Sequence, residues 1–152
     1  MPVSTQTIAI NERLALGGEV TKEELRELSE AGFKSIIDLR TGDEPQPPLT
    51  REEEADEARH LGLMYHNLPV QGHDIKPGQV DRFAALLNEL TAPVYVHCQK
   101  GGRATAMSML HLAAEHGWSG EETLRKADEL GCPLSSPAMR QAVLDHVGGK
   151  NA

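Results

Sequence analysis

Short apolar runs alternate with helix-like segments over the first two thirds of the chain, and this alternation limits the fold more than any other feature. The order predicts two strands, then three pairs of a helix and a strand, then three further helices. Strands that are separated by helices pair in parallel and are covered by those helices. We therefore expect an α/β fold with a mainly parallel sheet flanked by helices and an all-helical C-terminal part.

Local signals give the boundaries of these elements. Strands are predicted at 8–10, 14–16, 35–39, 63–68 and 94–96. Helices are predicted at 21–31, 50–60, 77–90, 104–116, 119–130 and 136–147, with Gly32 ending the first of them. Three of them open on capping boxes, in which Thr21 pairs with Glu24, Thr50 with Glu53 and Ser119 with Glu122. Prolines make 41–49 a loop, and the acidic run at 52–57 is expected to be a solvated helix face.

Composition excludes some classes of function. The 152 residues suit a single domain, 1–152, and carry a net charge of −8. A negative surface repels phosphate backbones, so we expect no nucleic-acid partner and no membrane partner. The chain has two cysteines, too few for a disulfide framework, and its first residues lack the pattern of a signal peptide. We therefore predict a soluble, cytoplasmic protein.

The segment 94–105 carries the residues that indicate chemistry. An apolar strand stops at Cys98, a loop with Gly101 and Gly102 follows, and a helix then begins. Loop N–H groups and a helix N-terminus at the end of a parallel strand form a cradle for an oxyanion, and they favour the nucleophilic thiolate of Cys98. Arg103 offers a planar fork that can hold two oxygens of a phosphoryl or sulfo group. We predict that Cys98 and Arg103 are catalytic and that the active loop joins the last strand to a helix.

The residues around this pair are expected to contact the substrate. They are His97, Gln99, Lys100, Gly101, Gly102, Ala104 and Thr105. The sequence leaves open whether His97 is a core histidine or a partner that orients the loop. Cys132 is expected to be a buried structural thiol, with a resolving role toward Cys98 as the alternative. No His-x-x-x-His or Cys-x-x-Cys pair is present, so we expect no metal and no cofactor.

The chain resembles a known family over residues 5–115. The segments 17–20, 31–40 and 68–70, together with the loop from His97 to Arg103, are similar to the beta-lactamase-hydrolase-like phosphatases. These are small bacterial relatives of the dual-specificity tyrosine phosphatases, also labelled sulfur transferases. The resemblance implies a phosphatase-type α/β fold with Cys98 as nucleophile and Arg103 as phosphate clamp. It implies as substrate a phosphorylated small molecule or a phosphoprotein.

A phosphatase also needs an acid that protonates the leaving oxygen. The resemblance implies that this acid lies in the loop 71–76, before the helix that precedes the cysteine strand. Asp74 is the first candidate there and His73 is the alternative. Asp43 and Glu44, in the proline-rich loop, are weaker alternatives.

Two departures from the tyrosine phosphatase pattern keep other functions open. Four residues separate Cys98 from Arg103, as in rhodanese-like loops, where tyrosine phosphatases have five. Ala104 replaces the hydroxyl that commonly follows the arginine, with Thr105 one position late. Our first hypothesis is a phosphomonoester hydrolase that forms a phosphocysteine. The alternatives are a sulfurtransferase that uses a Cys98 persulfide and a non-catalytic module that binds oxyanions or proteins.

Overall fold

The computed structural model of the chain describes residues 7–72 and 74–150, the last three of these as helical backbone only. Its strands are β1 (Thr7–Ala9), β2 (Leu14–Gly17), β3 (Ser35–Asp38), β4 (Met64–Asn67) and β5 (Val94–His97). Its helices are α1 (Lys22–Glu30), α2 (Arg51–His60), α3 (Pro77–Glu89), α4 (Gly102–His116), α5 (Gly120–Glu129) and α6 (Pro137–Lys150).

The five strands form one sheet in the order β1-β2-β5-β3-β4. The hairpin of β1 and β2 is antiparallel, and every other pair of neighbours is parallel. Three helices follow the last strand without another strand between them. These features confirm the predicted α/β fold with its helical C-terminal part.

Each face of the sheet is covered by helices because alternate residues of the buried strands point to opposite sides. Ile37 and Val96 lie in a core cluster with α3, α4 and α6, which includes Phe83 and Val143. Their chain neighbours Ile36 and Tyr95 belong to a second cluster with α1 and α2. Strands that are buried on both faces are mostly apolar, which explains the short continuous runs in the sequence.

The helix starts follow the caps that the sequence contains. In α1, α2 and α5, a threonine or serine side chain accepts from a backbone N–H while a glutamate carboxylate accepts from the cap residue. All three predicted capping boxes are therefore confirmed. The helix α4 begins at Gly102, two residues earlier than predicted, because Gly101 takes a left-handed conformation with φ of 104° and the chain turns directly into the helix.

The strand register brings three chain segments to one edge of the sheet. Gly17 of β2 and Asp38 of β3 both lie opposite His97 of β5. The residues that follow these three strand ends therefore meet at the carboxyl edge, where open α/β sheets form their binding crevices. Among residues 7–72 and 74–150, no helix has the length and apolar character that a membrane crossing requires.

Candidate active site

The active loop, residues 98–103, joins β5 to α4 at this edge. Cys98 lies at the base of the loop and is 1% exposed. The backbone N–H of Gly101 donates to the Cys98 sulfur over 3.1 Å. An N–H donor and the N-terminus of a 15-residue helix both stabilise negative charge on the sulfur. The structure therefore gives Cys98 the surroundings that a nucleophilic thiolate needs.

The segment after β2 supports the loop from the side. The N–H of Glu19 donates to the carbonyl oxygen of Gln99 over 3.0 Å. A Cβ atom at Gly18 would lie 2.9 Å from that same oxygen, which is closer than real Cβ contacts. Glycine at position 18 thus allows the two backbones to approach, and this close approach explains the glycine directly after β2.

Arg103 lies in the first turn of α4 and is held in place through one nitrogen. Its Nη1 donates to the carbonyl oxygen of Val70 over 3.0 Å and lies 2.9 Å from the Glu44 carboxylate. Both contacts use the same nitrogen, so the edge formed by Nε and Nη2 is the one that can face an oxyanion. This edge is the fork that binds two oxygens of one phosphoryl group.

Glu44 comes from the proline-rich loop, and its side chain is only 7% exposed. Burial by itself would raise the pKa of this carboxyl. The N–H donors of Thr41 and Gly42 and the Arg103 guanidinium outweigh burial and lower the pKa of Glu44 to about 2. Glu44 is therefore an anion at neutral pH that holds Arg103 in place. This state does not suit the role of proton donor, for which Glu44 was a weaker alternative.

His97 holds the loop from behind. Its Nε2 lies 2.6 Å from the carboxylate of Glu54, and its Nδ1 lies 3.1 Å from the carbonyl oxygen of Cys98. Complete burial lowers the pKa of His97, but the charges of Glu54 and Asp38 outweigh it and the net shift is upward. A protonated His97 donates from both nitrogens, which fixes the first peptide group of the active loop. The structure thus favours the orienting role over that of a simple core histidine.

A buried charge network surrounds His97 at the strand ends. Arg40, 2% exposed, pairs with Asp38 and Glu54 over 2.9 Å each and with Glu19 over 3.0 Å. Tyr65 donates to Asp38 over 2.6 Å. Burial raises the pKa of Asp38, but His97, Arg40 and Tyr65 more than offset it and keep that pKa below its usual value. Burial of these charges is tolerated because each has partners of opposite sign.

Asp38, Glu54 and His97 bring ligand atoms within 4.8 Å of one another, which is the spacing of a metal site. The Arg40 guanidinium already bridges the two carboxylates, with Nη2 2.9 Å from each. His97 in turn uses Nε2 for Glu54. The cluster is therefore an ion-pair network in which Arg40 and His97 supply the positive charge.

A pocket of about 650 Å³ opens above Cys98. One wall is the segment 131–136 between α5 and α6, and Met139 of α6 continues this wall. Cys132 is 5% exposed and also lines the pocket, and the Thr105 side chain hydrogen-bonds to it. The Thr105 side chain is thus engaged with Cys132. Burial raises the pKa of the Cys132 thiol, which agrees with the predicted buried thiol.

Most of the predicted site residues line this pocket. They are Cys98, Gln99, Lys100, Gly101, Gly102, Arg103 and Thr105. His97 and Ala104, also predicted to contact the substrate, are both 0% exposed and are not among the residues that line the pocket. Asp74 is 56% exposed, pairs with Lys76 over 2.9 Å and is not among the residues that line the pocket. His73 lies outside the described residues.

Sequence reasoning missed Glu54, which belongs to the acidic run 52–57. Glu52, Glu53 and Asp56 bear out the expected solvated face, but Glu54 is 0% exposed and faces His97. A signal was present in the sequence. Asp38 and His97 directly follow the apolar residues of two buried strands, and polar residues at such positions need hydrogen-bonding partners.

The chain matches known proteins over most of its length. Residues 4–129 match a family model described as DSP-PTPase phosphatase fused to NAD+ kinase. Beta-lactamase hydrolase-like proteins of Xylella fastidiosa and Agrobacterium fabrum are 36% and 37% identical over 104 and 107 residues. These alignments cover 68% and 69% of the chain, which spans only 24% of the length of each relative. The family resemblance seen in the sequence is thereby confirmed.

The fold also matches solved structures. A candidate phosphatase from Neisseria meningitidis superposes on 90% of this chain and 94% of its own, with a TM-score of 0.77 and 25% sequence identity. The similarity confirms the phosphatase-type α/β fold that the resemblance implied.

Proposed function

The chain belongs to the DSP-PTPase family of phosphatases that occur fused to NAD+ kinase, and we propose that it hydrolyses phosphomonoesters through a phosphocysteine. The observation that supports this proposal is the active loop itself. Cys98 accepts an N–H donor at the head of α4, and Arg103 in the same turn directs its Nε–Nη2 edge away from the contacts that hold it. A nucleophile beside an oxyanion cradle is the arrangement that phosphoryl transfer requires.

In the proposed reaction, the Cys98 thiolate attacks phosphorus, an S–P bond forms and the P–O bond to the organic group breaks. Loop N–H groups and Arg103 stabilise the equatorial oxygens, whose charge is spread in the transition state. Water then attacks the phosphocysteine, the S–P bond breaks, and inorganic phosphate leaves as Cys98 returns to the thiolate. We propose a cytoplasmic location, because a reducing compartment keeps such a thiol free.

We propose Asp74 as the acid that protonates the leaving oxygen and then accepts a proton from the attacking water. Gly72 lies near the start of the same loop, and a Cβ atom there would lie 2.9 Å from Met139 and 3.5 Å from Arg103. This contact supports the proposal because the loop of Asp74 starts beside the phosphate clamp.

The test is release of inorganic phosphate from aryl phosphates by the wild-type protein and by Cys98→Ser. We expect slow but measurable hydrolysis that Cys98→Ser abolishes and that phosphate or vanadate inhibits competitively. Rapid acid quenching followed by mass spectrometry of the intact protein should detect the phosphocysteine as an added phosphoryl group. Phosphate release that persists in Cys98→Ser would contradict the mechanism.

Two observations favour sulfur transfer as a second candidate function. The loop has four residues between Cys98 and Arg103, and Asp74 does not line the pocket, so a reaction that needs no acid is compatible with the same cradle. In that reaction, the Cys98 thiolate would attack the outer sulfur of thiosulfate, the S–S bond of thiosulfate would break and sulfite would leave. Cyanide would then take the outer sulfur of the Cys98 persulfide as thiocyanate and return the thiolate. Robust thiocyanate formation, without Cys98-dependent phosphate release, would replace phosphatase by sulfurtransferase.

A further inference from the structure

The charges around the pocket balance one another. Among the described residues that line it, Lys100 and Arg103 are the cationic side chains and Glu19 is an acidic one. Arg103 is further neutralised by Glu44, whose carboxylate lies 2.9 Å from its Nη1. Glu19 also pairs with Arg40 of the buried network, in which Arg40 and His97 offset Asp38 and Glu54. Apart from that balanced network, two positive and two negative charges lie in or directly behind the pocket wall. One phosphoryl group can be bound here by Arg103 and the loop amides, but a second would meet few cations.

The net charge of the whole chain also disfavours ligands that carry several phosphates. The net charge is −8, so the field outside the pocket repels polyanions. A ligand with several phosphates needs clustered Lys and Arg side chains to offset that repulsion. Lys100 is the exposed cation of the active loop, and Glu19 lines the pocket with it. The electrostatics thus select for ligands of low charge.

The pocket wall formed by 131–139 is partly apolar. The partly buried Met139 and the edge of Leu134, which is 3% exposed, line it, and Ile8 of β1 also lines the pocket. The methyl group of Met139 would lie 2.9 Å from a Cβ at Gly72 and 3.1 Å from one at Gly102, so this side chain packs across both backbones. Such a surface stabilises an alkyl or aryl group by burying its area. The exposed hydroxyl of Ser135 adds a hydrogen-bonding group at the same wall.

The size of the pocket limits the ligand further. A volume of about 650 Å³ lies within the range of small-molecule sites, roughly 300–1,000 Å³. Cys98 at the base is 1% exposed, so the phosphoryl group must enter fully before it reacts. The organic part then lies between the active loop and the wall of 131–139.

We propose that the substrate is a compact monophosphate ester whose organic group is uncharged and partly apolar, and that polyphosphorylated compounds are excluded. The proposal rests on the phosphatase function proposed above and adds the charge and the size of the substrate to it. It assigns selectivity to two features: the scarcity of cations around Lys100, and the apolar wall of Leu134 and Met139.

The test compares phenyl phosphate with hydroquinone bisphosphate, two esters that share the ring and the type of leaving group but differ by one phosphoryl group. We expect kcat/KM to be at least tenfold higher for phenyl phosphate. In Ser135→Lys, which adds a cation at the pocket wall, this preference should fall at least threefold. Asn88→Lys adds the same charge on an exposed part of α3 outside the pocket and should leave the preference unchanged.

Equal or better hydrolysis of the bisphosphate by the wild-type protein would overturn the proposal, as would an unchanged preference in a folded Ser135→Lys. A phosphotyrosine peptide hydrolysed at least tenfold more efficiently than phenyl phosphate would also overturn it. If Ser135→Lys fails to fold, competitive inhibition of the wild-type protein by phenylphosphonate against 1,4-phenylenebisphosphonate decides, and the monophosphonate should inhibit at least tenfold better. Absence of Cys98-dependent phosphate release from every ester would instead reject the phosphatase function itself.

Discussion

The two sides of the active loop differ in how deeply their charged side chains are buried and in how they are paired. On the inner side, Arg40, Glu54 and His97 are at most 2% exposed, and each has charged partners of opposite sign. On the outer side, Lys100 is exposed and Asp74 is 56% exposed in a pair with Lys76. Buried ion pairs hold one geometry because a lost partner leaves an unpaired charge, whereas exposed pairs contribute little.

This difference divides the tasks of the site. The inner side fixes the backbone from which Cys98 and Arg103 project, so its residues determine whether the cradle exists. The outer side meets the substrate, so its residues determine which group leaves and what is bound. Changes on the inner side should therefore affect stability and all substrates, and changes on the outer side should affect substrates selectively.

The strongest test of the inner side is Glu54→Gln, which keeps the shape and removes the charge between Arg40 and His97. Breaking a buried pair in this way should lower the free energy of unfolding by about 3 kcal/mol. Chemical denaturation measures the loss, and Glu52→Gln, an exposed neighbour in the same helix, is the control. Equal stability of the two variants would remove the contrast between the inner and outer sides.

The pH dependence of the same variant identifies His97 as the affected partner. The pKa of His97 is raised in the folded protein, so its stabilising contribution is complete below about pH 6.5 and is lost as the pH rises through the folded value. The wild-type protein should therefore exceed Glu54→Gln in stability most clearly at pH 6, with a smaller difference at higher pH. A difference that grows with pH would contradict the assignment.

On the outer side, Asp74→Asn should reduce hydrolysis of phenyl phosphate by about a hundredfold, the lower range for loss of a general acid. With nitrophenyl phosphate the loss should be small, because a nitrophenolate leaves without a proton. Steady-state kinetics on both esters give the readout, with Asp81→Asn in α3 as the control for an exposed acid elsewhere. Equal losses on both esters would point to His73 or another donor.

Arg103→Lys tests whether Arg103 serves both sides of the loop, because contacts behind it hold one nitrogen while its other edge is proposed to bind the substrate. Lysine keeps the charge, but it cannot hold Glu44 and Val70 while presenting a second edge to two oxygens. We expect kcat/KM to fall at least tenfold, about 1.4 kcal/mol, on every ester tested. Arg82→Lys on the exposed face of α3 should have no effect. Near-normal kinetics in Arg103→Lys would remove this residue from the mechanism.

The sequence predicted those parts of the site whose signals are local. Cys98 and Arg103 lie within one strand–loop–helix segment, and the cap of Thr50 with Glu53 lies within four residues, so spacing alone identified them. Glu54 meets His97 across 43 positions of the chain, and Glu44 meets Arg103 from a loop between other elements. Such contacts depend on how the strands are ordered in the sheet, which spacing along the chain does not determine.

The smallest expected effect on stability comes from Glu44→Gln, a change in the proline-rich loop that removes the charged partner of Arg103. Glutamine keeps some of the hydrogen bonds to Thr41 and Gly42 but loses the charge opposite Arg103, so we expect a stability loss of about 1 kcal/mol at pH 7. Because the pKa of Glu44 is lowered to about 2 from 4.5, its contribution is complete above pH 4.5 and is lost as the pH falls toward 2. Unfolding curves of the wild-type and Glu44→Gln proteins should therefore converge between pH 4.5 and 2. Curves that stay equally far apart over this range would show that Glu44 acts by packing and not by its charge.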